Sequence, residues 1–136
     1  MNEETLDISK FFSKEAEEEG KWYEPKVRGV GVGFEVKIYG PNSTHAAIAS
    51  DAYAKARDEI EKITDPEAKS KATDKALAEY SAAIAFDIRG KDGIKLVNKN
   101  GTPVTKNDIK DILFNAPVLA TDIAKYANKQ DNFLSL

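Results

Sequence analysis

The chain of 136 residues lacks cysteine and contains only one histidine, one tryptophan and five prolines. Without cysteine there are no disulfides, thiolate zinc sites or cysteine nucleophiles, and one histidine cannot form the clusters that bind metals. No run approaches the roughly 18 apolar residues of a membrane span, and residues 1–10 have neither the basic nor the apolar region of a signal peptide. We therefore expect a cytosolic protein with no membrane partner.

The charge of the chain is nearly balanced. Its 20 basic and 23 acidic side chains give a net charge of −3, so no overall field attracts nucleic acid or anionic lipid. We therefore expect no nucleic-acid partner. The acidic excess lies in residues 1–20, where seven acidic and two basic side chains give −5. Such a segment either stays solvated, docks on a basic partner, or folds back on basic residues of its own or a neighbouring subunit.

The N-terminal third predicts a short helix and then a β-hairpin. Leu6, Ile8, Phe11 and Phe12 suit an amphipathic helix that ends at Gly20. The next stretch alternates apolar and polar residues at its end, the period of a half-buried strand, and contains three closely spaced glycines. This pattern predicts a hairpin over residues 21–39 that turns through residues 29–33.

The middle of the chain predicts two long helices. Asn42 or Ser43 is suited to cap a helix that runs to about Ile63. Asp65-Pro66 starts a second helix, which we expect to continue to about Asp87. The short connection makes the pair antiparallel, and the 13 alanines of residues 46–85 allow close packing.

The last third predicts a short hairpin and two short helices. Asn100-Gly101 favours the hairpin turn, and residues 105–108 have the spacing of a capping box. Pro117 separates the first helix from the second, which ends near Lys129. The predicted fold is a small single α+β domain over residues 1–136, in which an N-terminal β-hairpin packs with the long antiparallel helix pair. It carries an acidic segment, residues 1–20, and an apolar tail, residues 131–136.

No motif in the chain indicates catalysis or a cofactor. His45 lies in the first turn of a predicted helix, where the dipole disfavours a cation. The glycines of residues 29–33 lack the lysine and following helix of a phosphate loop, and residues 87–93 lack the ligand spacing of a calcium loop. We expect no enzyme, no metal and no cofactor.

Apolar side chains on the hairpin and at the chain end are the candidate anchors of a protein interface, because large aromatic and aliphatic groups dominate such contacts. The candidates are Trp22, Tyr23, Phe34, Tyr39, Phe133, Leu134 and Leu136. Trp22 and Phe34 suit a core position better than an interface position. The apolar tail docks either on its own domain or on another chain.

The order of these elements resembles a known family. The opening TLDISKFFSKEAEEEGKWYEP, the glycine-rich strand pair that ends in VKIYGPNST, the long helix after it, and the Asn100-Gly101 turn before the final helices are similar to the tail assembly chaperones of long-tailed bacteriophages and prophages. The similarity spans most of residues 5–136.

This resemblance implies a non-enzymatic assembly factor in the host bacterial cytoplasm. Such proteins self-associate, bind the tape measure protein and help to recruit tail tube subunits, so a homo-oligomer is expected. The alternative is a structural virion component, such as a tail tube, neck or head-tail connector protein. A bacterial interaction module of antitoxin type, and an enzyme or nucleotide binder, are the remaining interpretations.

Overall fold

The computed structural model describes residues 3–134. Within these residues the helices are α1 (Lys14–Glu19), α2 (Thr44–Glu61), α3 (Pro66–Ile84), α4 (Ile109–Asn115) and α5 (Pro117–Ala127). The strands of the same part of the chain are β1 (Lys21–Tyr23), β2 (Lys26–Val27), β3 (Val30–Gly31), β4 (Phe34–Ile38) and β5 (Ala85–Gly90). Short 3-10 turns cover Ile8–Phe11, Lys91–Gly93, Lys106–Asp108 and Gln130–Phe133.

The predicted N-terminal hairpin is confirmed. β1 pairs antiparallel with β4, and at the turn end of this hairpin β2 pairs antiparallel with β3 in a short two-stranded ribbon. The chain reverses at Arg28 and Gly29, whose φ angles are 54° and 79°. Glycine adopts this left-handed conformation without a steric cost, which explains why the turn lies in the glycine-rich stretch.

A third strand extends the hairpin into a sheet of order β1-β4-β5. The sequence-based prediction that the second long helix continues to about Asp87 is wrong, because α3 ends at Ile84 and β5 begins at Ala85. Residues of β5 pair with β4 about 50 positions earlier, for example Ile88 with Val36. This tertiary pairing satisfies the open edge of β4 and overrides the weaker local preference for helix.

The two long helices form the predicted antiparallel pair. Ser43 caps α2 by accepting a hydrogen bond from the Ala46 N–H at 3.0 Å, and Asp65 caps α3 by accepting one from the Ala68 N–H at 2.9 Å. Alanines from both helices, among them Ala49, line the narrow space between them. Both predicted caps are confirmed.

The acidic segment folds differently from the single helix predicted for it. A 3-10 turn and the separate helix α1 replace that helix, with the buried Ser13 between them. Two acidic side chains of α1 then reach the start of α2. Glu17 accepts a hydrogen bond from the Asn42 N–H at 2.8 Å, and Glu18 accepts one from the Thr44 N–H at 2.7 Å. These N–H groups lie at the beginning of a helix, where they lack intrahelical partners and favour negative charge.

The C-terminal elements follow the prediction in outline. The second hairpin has one bridge, between Val97 and Pro103, and the capping box of Thr105 and Asp108 is present. Helices α4 and α5 pack against α3.

The helices cover one face of the three-stranded sheet, and the core lies between these two layers. Its buried residues include Val36 and Ile38 from the sheet and Ile84, Leu113 and Ile123 from the helices. The architecture is a small α+β domain, as predicted. None of the helices in the described part of the chain combines the length and the apolar character that a bilayer crossing requires.

Candidate protein-interaction surface

The three-stranded sheet has an inner face, which supplies the core, and an outer face. Strand register places side chains alternately on the two faces. All the sheet residues of the core cluster come from the inner face. The outer face carries Trp22, Glu35, Lys37, Tyr39, Phe86, Asp87 and Arg89. A solvated sheet face is usually polar, so the three large aromatic side chains of Trp22, Tyr39 and Phe86 make this face unusual and a candidate for binding another molecule.

Trp22 lies under a cation. The Arg89 guanidinium carbon is 4.0 Å from the centroid of the Trp22 ring, a stacked cation–π contact. Arg89 also donates from Nε to Glu35 at 2.9 Å. This ion pair fixes the plane of the guanidinium over the ring, so the indole has one restricted position on the surface.

Tyr39 lies in the middle of a stack of three rings. Its centroid is 4.0 Å from that of His45 and 4.1 Å from that of Phe86, with interplanar angles of 4° and 20°. A β-bulge between Lys37 and Ile38, where β4 meets β5, brings Phe86 to the outer face beside Tyr39.

Lys37 joins these two groups into one. Its Nζ is 5.9 Å from the ring centroids of both Trp22 and Phe86. The contacts therefore run without a break through six side chains, which we call the outer row: Trp22, Lys37, Tyr39, His45, Phe86 and Arg89. Arg89 and His45 are exposed and the other four are half-buried, so the row reaches solvent along its length.

The candidate anchors Tyr23 and Phe34 point the other way. Tyr23 stacks on Tyr126 of α5 with centroids 3.9 Å apart, and its hydroxyl donates to Asp122 at 2.6 Å. Burial raises the pKa of the Tyr23 hydroxyl, and the hydrogen bond to Asp122 adds to this increase. Phe34 packs against the core cluster. Both residues join the sheet to the helices, which leaves the half-buried Trp22 and Tyr39 as the hairpin anchors on the outer face.

The apolar tail docks on its own domain. Phe133 is 1% exposed, and its ring lies edge-on to Tyr126 with centroids 5.9 Å apart. Leu134 is half-buried, and Leu136 lies outside the described residues. Phe133 therefore docks on its own domain and not on another chain, the two alternatives that the sequence left open. This placement corrects the assignment of Phe133 to a protein interface.

Four of the six residues of the outer row, Lys37, His45, Phe86 and Arg89, were not among the sequence-based candidates. Phe86 and Arg89 were assigned to a helix end, and His45 to the first turn of a helix. The run Phe86 to Gly90, with Ile88 at its centre, carries a signal of strand that the helical interpretation overlooked.

An ion pair holds the β2–β3 ribbon against the chain that follows β5. Lys91 donates from Nζ to Glu24 at 2.9 Å, and the Gly33 N–H donates to the same carboxylate at 3.0 Å. The hydrogen bond from Lys91, followed by that from Gly33, lowers the pKa of Glu24, and Glu24 in turn raises the pKa of Lys91.

The stability that this pair provides should depend on pH. Because the folded-state pKa of Glu24 is below its ordinary 4.5, the contribution is complete above that pH and is lost as pH falls through the folded value. It is also lost as pH rises through the raised pKa of Lys91, above 10.5. We expect Glu24→Gln to lower Tm by a constant amount between about pH 5 and 10 and by nothing at strongly acidic pH. Glu61→Gln, an exposed residue at the end of α2, is the control, and a Glu24→Gln deficit that persists in strong acid would contradict the assignment.

Residues 3–134 hold no group of three or more histidine or acidic side chains arranged to bind a metal ion. Comparison of the chain with protein-family models, with curated proteins and with solved structures finds no match.

Proposed function

We propose that the chain is a non-enzymatic phage tail assembly chaperone, which acts in the host bacterial cytoplasm and binds the tape measure protein through the outer row. The single observation that carries this proposal is the uninterrupted set of aromatic and basic side chains on a sheet face that supplies nothing to the core. The resemblance of the sequence to tail assembly chaperones supports the choice of client.

The composition and rigidity of the outer row suit protein binding. Trp, Tyr and Arg are the residues that most often dominate binding energy at interfaces. Here Arg89, Lys37 and the neighbouring rings already hold Trp22 and Tyr39 in place, so little side-chain freedom remains to be lost on binding.

The client suits such a surface on physical grounds. The tape measure protein is a long helical protein, and before the tail tube encloses it, its apolar stripes are exposed to water. A row of aromatic rings covers apolar helix surface, and many copies of one weak site along a repeating client bind it by avidity. The recruitment of tail tube subunits belongs to the same proposal and follows from the resemblance alone.

The first test is co-expression with the neighbouring tape measure and tail tube proteins, followed by co-purification and size analysis. We expect the chain to co-purify with the tape measure protein and to be absent from finished particles. Its presence in purified virions would favour the structural alternative, a tube, neck or connector protein.

Substitution within the outer row gives the second test. We expect Trp22→Ala with Tyr39→Ala to weaken binding to the tape measure protein at least about 30-fold, since hot-spot truncations cost about 2 kcal/mol or more. Ile48→Ala with Val118→Ala removes two exposed apolar side chains elsewhere and should leave Kd unchanged. Equal binding by both double variants, with unaltered melting curves, would reject the outer row as the client site.

A further inference from the structure

The first described residues form an exposed arm. In residues 3–12, which we call the arm, every residue is exposed, and the large apolar side chains Leu6, Ile8, Phe11 and Phe12 are between 51% and 67% exposed. The hydrogen bonds of the arm are local, such as those from Ser9 to the Asp7 carboxylate. Four neighbouring large hydrophobic side chains that each expose more than half of their surface are characteristic of a docking segment.

The arm leaves the domain from a fixed point. Helix α1, which follows it, is tied to the start of α2 by the buried Glu17 and to the C-terminal turn by a hydrogen bond from Gln130 to Ser13 at 3.0 Å. The six arm residues outside the 3-10 turn span about 20 Å when extended, and the turn adds about 8 Å. The arm can therefore contact another molecule without any rearrangement of the domain.

A second exposed segment has the opposite charge. Residues 94–106, which we call the basic loop, carry Lys95, Lys99 and Lys106 and no acidic side chain. None of these residues is buried, and Ile94 and Val97 are 59% and 49% exposed. The arm has three acidic side chains and one lysine, a net charge of −2. Each segment therefore offers apolar groups together with the charge that the other lacks.

The basic loop is ordered before any partner arrives. The Asn98 side chain accepts hydrogen bonds from the N–H groups of Asn100 and Thr102 at 2.9 and 3.0 Å, and the Val104 N–H donates to Leu96 at 3.0 Å. An open groove of about 540 Å³ begins at Asn107, directly after the loop. Phe114, Lys75 of α3, and Lys110 and Asp111 of α4 line it, and Lys110 also pairs with Glu79 at 3.7 Å. The groove therefore adds an apolar ring and one positive charge that is unpaired within residues 3–134, that of Lys75, offset in part by Asp111.

We propose that the arm of one copy docks on the basic loop and adjoining groove of a second copy. This inference rests on the proposed function, in which many copies of the chain line one client. The arm and the basic loop are the contact that joins neighbouring copies. The arm and the basic loop are different surfaces of the chain, so the contact is heterologous. Each copy can contribute its arm to one neighbour and bind the arm of another at its loop. Such a contact produces a ring or an open chain of copies.

The test uses the purified full-length chain alone, by sedimentation equilibrium over a range of concentrations. We expect the wild type to self-associate, and less strongly at high salt, because the contact joins exposed charges. Phe11→Ser with Phe12→Ser disables the arm, and Lys95→Glu with Lys99→Glu disables the loop. Each double variant should raise the dissociation constant at least about tenfold, and both should keep the wild-type Tm because the changed residues are exposed.

Mixing the two variants separates this contact from any symmetric one. The arm-defective copy retains an intact loop and the loop-defective copy an intact arm, so the mixture should form 1:1 dimers and nothing larger. Lys55→Glu with Lys69→Glu makes the same charge change on the long helices and should assemble as the wild type does.

Three outcomes would overturn the proposal. They are a wild type that stays monomeric at all concentrations, a double variant that assembles like the wild type, and a mixture that yields no dimers. An arm that matters only when the tape measure or tail tube protein is present would assign it to that partner and would also overturn the proposal. The sedimentation measurements involve no client, so their failure does not decide whether the outer row binds the tape measure protein, which the co-purification and the Trp22→Ala with Tyr39→Ala variant test separately.

Discussion

Replacing Phe133 with alanine should lower the free energy of unfolding by about 3–5 kcal/mol, the usual cost of deleting a buried aromatic ring. The ring is 1% exposed and packs edge-on against Tyr126, whose own ring stacks on Tyr23 of β1. Its loss leaves a cavity where the C-terminal turn, α5 and the sheet meet. Urea denaturation followed by circular dichroism measures the change.

The control for this substitution is Phe12→Ala, the same truncation in the arm. That ring is 67% exposed, so the free energy of unfolding should change by less than about 0.5 kcal/mol. If Phe133→Ala unfolds at the same urea concentration as Phe12→Ala, the docking of the tail on its own domain is wrong. Removal of residues 131–136 should likewise destabilise the monomer rather than merely dissociate an oligomer.

Replacing Glu17 with alanine has the second largest expected effect, a loss of about 2–4 kcal/mol, because it leaves the buried Ser13 hydroxyl and the Asn42 N–H without their acceptor and opens a cavity. The side chain is 0% exposed. Its carboxylate accepts hydrogen bonds from the Ser13 hydroxyl and the Asn42 N–H, both at 2.8 Å. The same measurement in urea reports the loss.

Two matched variants separate the causes of this loss. Glu17→Gln keeps the shape and one acceptor oxygen, so it should cost clearly less than Glu17→Ala. Glu15→Ala removes an exposed carboxylate from the same helix and should change stability little. Equal effects of Glu15→Ala and Glu17→Ala would show that the buried network contributes nothing to stability.

Features that depend on neighbouring residues could be predicted from the sequence. The caps at Ser43 and Asp65, the capping box that starts at Thr105 and the turn at Gly29 each involve contacts within about four positions. The chemical types of these residues determine such contacts, so the starts of α2 and α3, the capping box before α4 and the hairpin turn follow from the sequence.

Features that depend on distant residues could not be predicted in the same way. β5 forms because β4 offers it an edge, and the pairing of Ile88 with Val36 spans about 50 positions. The outer row depends on that strand in turn, since Phe86 and Arg89 reach Trp22 and Tyr39 only when β5 is in register. Pattern alone also leaves open whether an apolar residue such as Phe133 faces its own domain or another chain.

Trp22 is the only tryptophan of the chain, and it lies in the outer row away from the core. Its fluorescence therefore reports on the sheet surface, where the Arg89 guanidinium covers one side of the indole. A ligand that settles there displaces water from the ring and shifts the emission spectrum, while a molecule held at the arm or the basic loop leaves it unchanged. The chain thus contains a built-in optical probe that distinguishes the two kinds of contact without any label.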